Sequence, residues 1–245
     1  VTIPKIIHQT APQKHTLDTC LQSNILALQS LNPRWEYRFY DDRDIKNFIK
    51  KHFGQDMQRC FSMINPIYGA AKADFFRYLA MYIYGGVYLD IKSKLNQSLD
   101  DVLLNNDNYI LSHWRNKIGQ EHEGWGLYSD LDIFGEYQQW HIIAAPTHAF
   151  LELVIKNVQS NIENYNIKKD GTGKLGVLKL TGPIAYTKAI KSIENDHSYR
   201  KVDIQDLGFQ YTIVYNHENI LKFGPTHYSK LTDPIVISQQ YYKID

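Results

Sequence analysis

Residues 70–90 read AAKADFFRYLAMYIYGGVYLD, and the fold is decided in this stretch. Ala70 to Tyr84 opens on strong helix formers and holds no breaker; Gly85-Gly86 stops it, and Val87-Tyr88-Leu89 follows as an apolar run with high strand propensity. The reading is helix, tight turn, then a buried strand over Val87 to Ile91. On the helix Phe75, Phe76, Leu79, Ala80 and Ile83 form one apolar stripe, and Asp74 and Arg77, three residues apart, are neighbours on the adjoining face. Asp90 falls at the carboxyl end of the strand, where open α/β sheets receive ligands. A carboxylate there is placed to meet ribose hydroxyls or a metal. Taken alone, the same residues also fit a solvent-facing helix ion pair and a turn cap.

Upstream, Pro4-Lys5-Ile6-Ile7-His8-Gln9-Thr10 is a β-branched run ending in polar residues, the signature of a first buried strand. Leu21, Ile25, Leu28 and Leu31 recur at helical spacing within Leu17 to Leu31, and Asn32-Pro33 ends the pattern. Trp35 to Tyr40 alternates as a strand, Asp41-Asp42 stops it, and an amphipathic segment from Ile45 to Phe53 closes at Gly54. This order predicts an α/β fold with a mostly parallel sheet flanked by helices. Downstream, the Lys- and Gly-containing stretch from Asn161 to Gly176 reads as an exposed connection. Thr181 or Gly182 caps a helix that takes Pro183 in its first turn. No repeat or linker divides the chain, so residues 1–245 are expected to form one domain.

The 27 basic and 26 acidic residues leave a formal net charge of +1, too little to attract nucleic acid without local clustering. Hydrophobic residues at 43% and charged residues at 22% are ordinary for a globular chain. Eighteen tyrosines and four tryptophans supply flat faces with polar edges, suited to bases and sugar rings. Cys20 and Cys60 lack metal spacing and are too few for a disulfide framework, so they read as ordinary thiols. No run of 18 apolar residues is present. The expectation is a cytoplasmic protein with no transmembrane segment; peripheral membrane association and a lumenal placement in the secretory pathway stay open.

The pattern Ala70-x-x-Ala73-Asp74-x-x-Arg77-Tyr78-x-x-Met81-Tyr82-x-x-Gly85-Gly86-x-Tyr88-x-Asp90, with Met81 in a leucine position, resembles the signature of glycosyltransferase family 32. It is also similar to the donor site of the large glucosylating toxins. The first strand, the block Asn32-Pro33-x-Trp35-x-Tyr37-x-x-Tyr40-Asp41-Asp42 and the block Leu180-Thr181-Gly182-Pro183 with Tyr186-Thr187 resemble family segments too. Only the acceptor-side region from about Tyr109 to Trp140 is unfamiliar.

The resemblance implies a GT-A fold, a Rossmann-like sheet flanked by helices. It implies a retaining transferase moving a hexose from a UDP- or GDP-sugar to a glycan or glycolipid hydroxyl, in polysaccharide or glycoconjugate synthesis. By the same resemblance, His8, Gln9 and Thr10 line the nucleotide-base pocket, Asp74 and Arg77 hold donor-sugar hydroxyls, and Asp90 contacts ribose and a bound Mn²⁺ or Mg²⁺. Asp74, Arg77 and Asp90 are thus the expected catalytic residues. The sequence departs from the family at Asp90-Ile91-Lys92, where an ammonium replaces the second carboxylate of the Asp-x-Asp motif. An oxygen-ligand cation tolerates that exchange poorly, which leaves three readings: Lys92 neutralises the donor diphosphate, another ligand serves the metal, or Asp90 binds it alone. His227 and the pair Asp130-x-Asp132 are the other candidate ligands. The alternative function is a sugar-nucleotide-binding protein without turnover.

Overall fold

A computed structural model describes residues 2–14, 17–213 and 227–237. The strand expected first is β1 (Ile6–Thr10), followed by α1 (Thr19–Leu31), β2 (Glu36–Tyr40) and α2 (Asp42–His52). Asp41 starts α2 with a capping box, accepting from the backbone of Asp44 while the Asp44 side chain accepts from the backbone N–H of Asp41. Gly54 ends the amphipathic segment only to cap another helix, α3 (Gln55–Met63), which the sequence reading lacks; Met57, Cys60 and Phe61 give it a buried face.

Helix α4 (Gly69–Tyr84) then leads through Gly85 into β3 (Gly86–Leu89). Gly85 and Gly86 have φ of +61° and +102°, and a Cβ on Gly86 would stand 2.4 Å from the carbonyl oxygen of Ile6. Glycine is required there both by dihedral and by space. β3 ends at Leu89, earlier than expected, because Ser93 N–H turns back to the carbonyl of Asp90.

The chain continues through β4 (Lys94–Leu95), α5 (Leu99–Val102), β5 (Tyr109–Leu111), β6 (His141–Ala144) and α6 (Ala149–Glu163). Helices α7 (Ile167–Asp170), α8 (Gly173–Leu180) and α9 (Pro183–Lys191) and strands β7 (Arg200–Lys201) and β8 (Phe209–Gln210) complete the elements used below. The stretch read as an exposed connection thus holds the end of α6, all of α7 and the start of α8. Gly182 caps α9 with Pro183 in its first turn, as the sequence indicates.

Six strands form one sheet in the order β2-β1-β3-β6-β5-β7, and β4 pairs with β8 in a separate ribbon. β2, β1 and β3 are parallel, β6 is antiparallel to both of its neighbours, and β5 and β7 are parallel to each other. Five strands therefore run one way and β6 alone runs against them. Alternate residues feed two layers. Tyr88, Ile142 and Ala144 face the core under α2, α3, α4, α6, α8 and α9, whereas Val87, Leu89 and Ile143 face α1, α5 and the Trp114–Trp140 region.

Helix α4 lies at the centre of the first layer. Instead of one apolar stripe it is buried from Asp74 through Met81 without interruption, because the sheet, α2, α6 and α8 close on it from several sides. Cys20 and Cys60 are free thiols, the first exposed and the second buried. No described helix is long and apolar enough to cross a membrane.

Candidate functional site

The turn at Gly85-Gly86 folds α4 back along β3, so a residue near the middle of the helix meets the residue just beyond the strand. Arg77 Nη2 lies 3.2 Å from Asp74 Oδ1 and 3.1 Å from Asp90 Oδ1. The guanidinium also donates through Nη1 to the backbone oxygen of Gln139 at 2.7 Å and to its side-chain oxygen at 2.8 Å, and stands over the Tyr88 ring at 4.7 Å. Asp74 accepts from Gln139 Nε2 at 3.0 Å and from Thr181 Oγ1 at 3.2 Å, and Asp90 accepts from the Tyr88 hydroxyl at 3.2 Å. Each buried charge therefore has an opposite charge and further hydrogen bonds, the condition under which such a group is tolerated.

Burial opposes the charged form of Arg77, but Asp90, Tyr88 and Asp74 outweigh it and hold the guanidinium more firmly protonated than usual. Burial pushes the Asp74 carboxyl up, against Arg77 and the donors of Gln139 and Thr181. The Asp74 and Arg77 side chains are 8% and 6% exposed, whereas Asp90 is 23% exposed, so Asp90 is the member that reaches solvent.

The three polar residues of β1 support this cluster from beneath. His8 Nε2 lies 2.9 Å from the carbonyl of Gly85 and Nδ1 lies 3.1 Å from the Tyr40 hydroxyl. A carbonyl can only accept, so Nε2 carries the proton and Nδ1 accepts from Tyr40. Burial lowers the imidazole pKa to about 4, which keeps it neutral. With 0% of its surface exposed, His8 ties β1 to the Tyr40 side chain on β2 and to the Gly85 backbone, and offers no open face. Gln9 donates to the Asp90 backbone oxygen at 3.2 Å and accepts from the Tyr37 hydroxyl at 2.9 Å, and Thr10 donates to the Tyr40 carbonyl at 2.8 Å. Gln9 and Thr10 are buried as well.

Lys92 is half-buried and donates to the Tyr211 hydroxyl at 2.8 Å. Burial lowers its pKa, Asp90 raises it and Arg77 lowers it further. The 211–213 segment returns to this turn: Ile213 N–H donates to the Lys92 carbonyl, and Ser93 Oγ donates to the Tyr211 carbonyl. The Tyr228 hydroxyl, also pushed up mainly by burial, lies within electrostatic range of Asp74, Tyr211, Tyr128 and Asp90.

The expected cation ligands do not assemble. Asp90 is engaged by Arg77 and Tyr88, an ammonium occupies the second motif position, and no three His, Cys, Asp or Glu among the described residues gather as a metal set. His227 is exposed at the start of a short 3-10 turn, with Nδ1 against Ser229 Oγ at 2.8 Å. Asp130 pairs with Lys179 and Lys188, and Asp132 with Lys191. The donor atoms of the described residues therefore do not fit a divalent cation held by protein ligands alone. A cleft of about 490 Å³ opens elsewhere, between β2 and α2, lined among others by Arg38, Lys51, His52 and Tyr84, and includes none of Asp74, Arg77 and Asp90.

Gln139 and Thr181 are members of the cluster that sequence reasoning missed. Thr181 looked like a helix cap, and Gln139 lies in the region without recognisable pattern. Only the three-dimensional return of β6 beside β3, with Asp90 N–H donating to the Trp140 carbonyl at 2.8 Å, brings Gln139 to the guanidinium.

At the level of family and fold, the chain is similar to known glycosyltransferases. The family model described as the glycosyltransferase sugar-binding region containing the DXD motif matches residues 19–110. An initiation-specific α-1,6-mannosyltransferase of Schizosaccharomyces pombe is 27% identical over 208 residues, covering 79% of this chain and 49% of the relative. Inositol phosphoceramide mannosyltransferase 2 of the same yeast is 26% identical over 190 residues, covering 75% of this chain and 45% of the relative. The chain thus spans about half the length of these curated relatives. Among solved structures, the UDP-bound glycosyltransferase domain from the YGT toxin superposes with a TM-score of 0.55 at 8% identity, covering 86% of this chain and 81% of that one. The fold is that of GT-A glycosyltransferases.

Proposed function

From a chain that is glycosyltransferase family 32-like and has the GT-A fold, we propose a nucleotide-sugar-dependent hexosyltransferase formed by residues 1–245 as one domain, with its donor site at Asp74, Arg77 and Asp90. The observation that carries this reading is the Arg77 guanidinium shared between the carboxylates of Asp74 and Asp90 at the carboxyl end of β3. A sugar presents hydroxyls that both donate and accept, and a fixed pair of carboxylates with a guanidinium between them supplies the complementary set. Asp90, the most accessible of the three, is the first contact for the donor; Asp74 and Arg77 form the wall behind it. Gln9 holds the backbone of Asp90, and His8 and Thr10 hold the strand that the nucleotide lies against.

The donor is a UDP- or GDP-hexose and the acceptor a hydroxyl of a glycan or glycolipid, in polysaccharide or glycoconjugate synthesis. Transfer retains configuration. The bond from the anomeric carbon to the diphosphate breaks, the acceptor oxygen bonds to the same face, and its proton passes to the departing phosphate oxygen. The protein's part is electrostatic: Lys92, in the place of the second motif carboxylate, puts a cation beside the developing negative charge. Asp74 and Asp90 are both held by Arg77, which supports front-face substitution over a covalent glycosyl-enzyme.

A second reading, a sugar-nucleotide-binding protein without turnover, is motivated by Lys92. Incubating the protein with UDP-glucose, UDP-galactose, UDP-N-acetylglucosamine and GDP-mannose and measuring nucleoside diphosphate release separates the two. Release with one donor supports the transferase, and binding without release across hydroxyl acceptors supports the second reading. Failure of all four to bind overturns both.

A further inference from the structure

The segment between β5 and β6, which has no recognisable sequence pattern, builds a second cluster against the donor residues. Trp114 packs edge-on against Trp125 and Tyr211 at ring distances of 5.2 and 5.0 Å, and Trp140 lies 5.5 Å from Tyr211. At its centre is Glu136, 6% exposed, whose Oε1 accepts from Trp114 Nε1 at 2.7 Å. Gly126 makes room for it, since a Cβ there would stand 2.7 Å from Trp114 Cδ1 and 2.8 Å from Glu136 Cγ. Trp114 and Trp140 are buried, while Trp125 keeps 45% of its surface exposed.

Two polar atoms of this cluster have no hydrogen-bond partner among the described residues: the second carboxyl oxygen of Glu136 and the indole N–H of Trp140. Buried polar groups are normally satisfied, and unpaired ones at a site call for an explanation. One of these atoms accepts and the other donates. A hydroxyl does both, and aromatic faces beside it suit the apolar side of a pyranose ring. The cluster adjoins the donor residues through two bonds already described, Lys92 to the Tyr211 hydroxyl and Asp90 N–H to the Trp140 carbonyl.

We infer that Trp114, Trp125, Trp140 and Tyr211 around Glu136 are the acceptor subsite, taking a pyranoside whose ring rests on Trp125 and whose hydroxyl donates to Glu136. The inference deepens the transferase reading and rests on it. Burial lifts the Glu136 carboxyl to about 7, against the bond from Trp114 and the Lys174 charge, with Asp74 adding to the rise. An acceptor hydroxyl therefore meets a group that ionises near neutrality.

Isothermal titration of the full chain, saturated with nucleoside diphosphate, with methyl α-mannopyranoside, methyl α-glucopyranoside and methyl β-galactopyranoside tests it. At least one glycoside is expected to bind saturably. Trp125→Ala, a change at a partly exposed site, and Glu136→Gln, which keeps an acceptor for Trp114, are each expected to weaken that binding tenfold or more. Both leave nucleotide-sugar affinity within about twofold of wild type. Wild-type protein that binds a nucleotide sugar but none of the glycosides, or variants that bind the glycoside as wild type does, overturns the subsite. Wild-type protein that binds no nucleotide sugar overturns the donor reading instead.

Discussion

The guanidinium of Arg77 stands 3.1 Å from the carboxylate of Asp90, although one residue is on α4 and the other lies beyond β3. That distance is held by the Gly85-Gly86 turn, and the guanidinium separates two acidic groups inside a nearly dry wall. Arg77→Ala leaves Asp74 buried without its counter-charge, and removal of one partner from such a pair costs about 3–5 kcal/mol. Arg77→Lys keeps the charge but cannot reach Asp74, Asp90 and Gln139 together, because one ammonium lacks the planar fork. Urea denaturation is expected to show the larger loss for alanine, and both variants should lose the thermal shift given by nucleotide sugars. Unchanged nucleotide-sugar binding in Arg77→Lys counts against the donor site.

In the proposed transferase, Lys92 takes over the positive charge that a motif carboxylate would otherwise recruit as a cation. Nucleotide-sugar binding by the wild-type chain is therefore expected to survive EDTA. In Lys92→Asp a negative group faces the diphosphate; affinity in EDTA should fall at least tenfold and recover with Mn²⁺. The readout is a thermal-shift titration, in which ligand bound to the native state raises stability by mass action. Loss of the wild-type shift in EDTA rules out this use of Lys92.

Four histidines are held as neutral rings, His8 and His141 buried and His113 and His148 half-buried. Burial lowers His8, His113 and His148 to about 4 and His141 to about 3, all from an ordinary value of 6.5. Between those values the unfolded chain binds more protons than the folded one, so their contribution to stability is complete above pH 6.5 and is lost as pH falls toward 4. Urea midpoints from pH 7.5 to 4.5 should fall steeply. His141→Leu should flatten that slope, because this ring is fully buried and its Nδ1 has no partner among the described residues. An unchanged slope assigns the acid sensitivity to other groups.

Glu136 works in the opposite direction. Its carboxyl is raised from 4.5 to about 7, so the folded chain binds more protons in that window and stability falls as pH rises through it. At about 1.4 kcal/mol per pKa unit, the penalty approaches about 3 kcal/mol above pH 7. Glu136→Gln removes it. The melting temperature of the variant relative to wild type should therefore rise from pH 5 to pH 8, and a constant difference would falsify the assigned ionisation.

Gly86→Ala places a Cβ against the Ile6 carbonyl in a backbone conformation that L side chains rarely adopt. The expected loss is at least about 2 kcal/mol, read by denaturation. Alanine at exposed Gly119, with φ +79° but open space around it, should cost less. Equal losses at the two positions point to the dihedral alone as the cause.

Much of the fold could be read before the structure because the helix from Ala70, the paired glycines and the strand after them are local signals. Hydrophobic period, breakers and caps act within a few residues, so β1, α1, β2, α2 and α4 emerge with small shifts at their ends. Asp74 and Arg77 were legible as neighbours for the same reason, being three apart on one helix. Gln139 was not, since its place beside Arg77 depends on β6 running against β3. Nor was the burial of α4 on nearly every side, because its cover arrives from α6 and α8, far along the chain. His8 shows the limit in another way: a polar residue at a strand end invites a ligand, yet the hydroxyl of Tyr40 and the carbonyl of Gly85 take both of its nitrogens.

The aromatic segment leaves the sheet at the end of β5 and re-enters at β6, an adjacent strand, and a bridge between His113 and Tyr137 draws its two ends together. Such a stem makes the intervening stretch an exchangeable part. A lineage could lengthen, shorten or replace residues 114–136 while Asp74, Arg77 and Asp90 stay where the glycine turn sets them. One donor chassis could in this way serve many acceptors, and a graft between relatives with cuts at 113 and 137 is the shortest route to a new one.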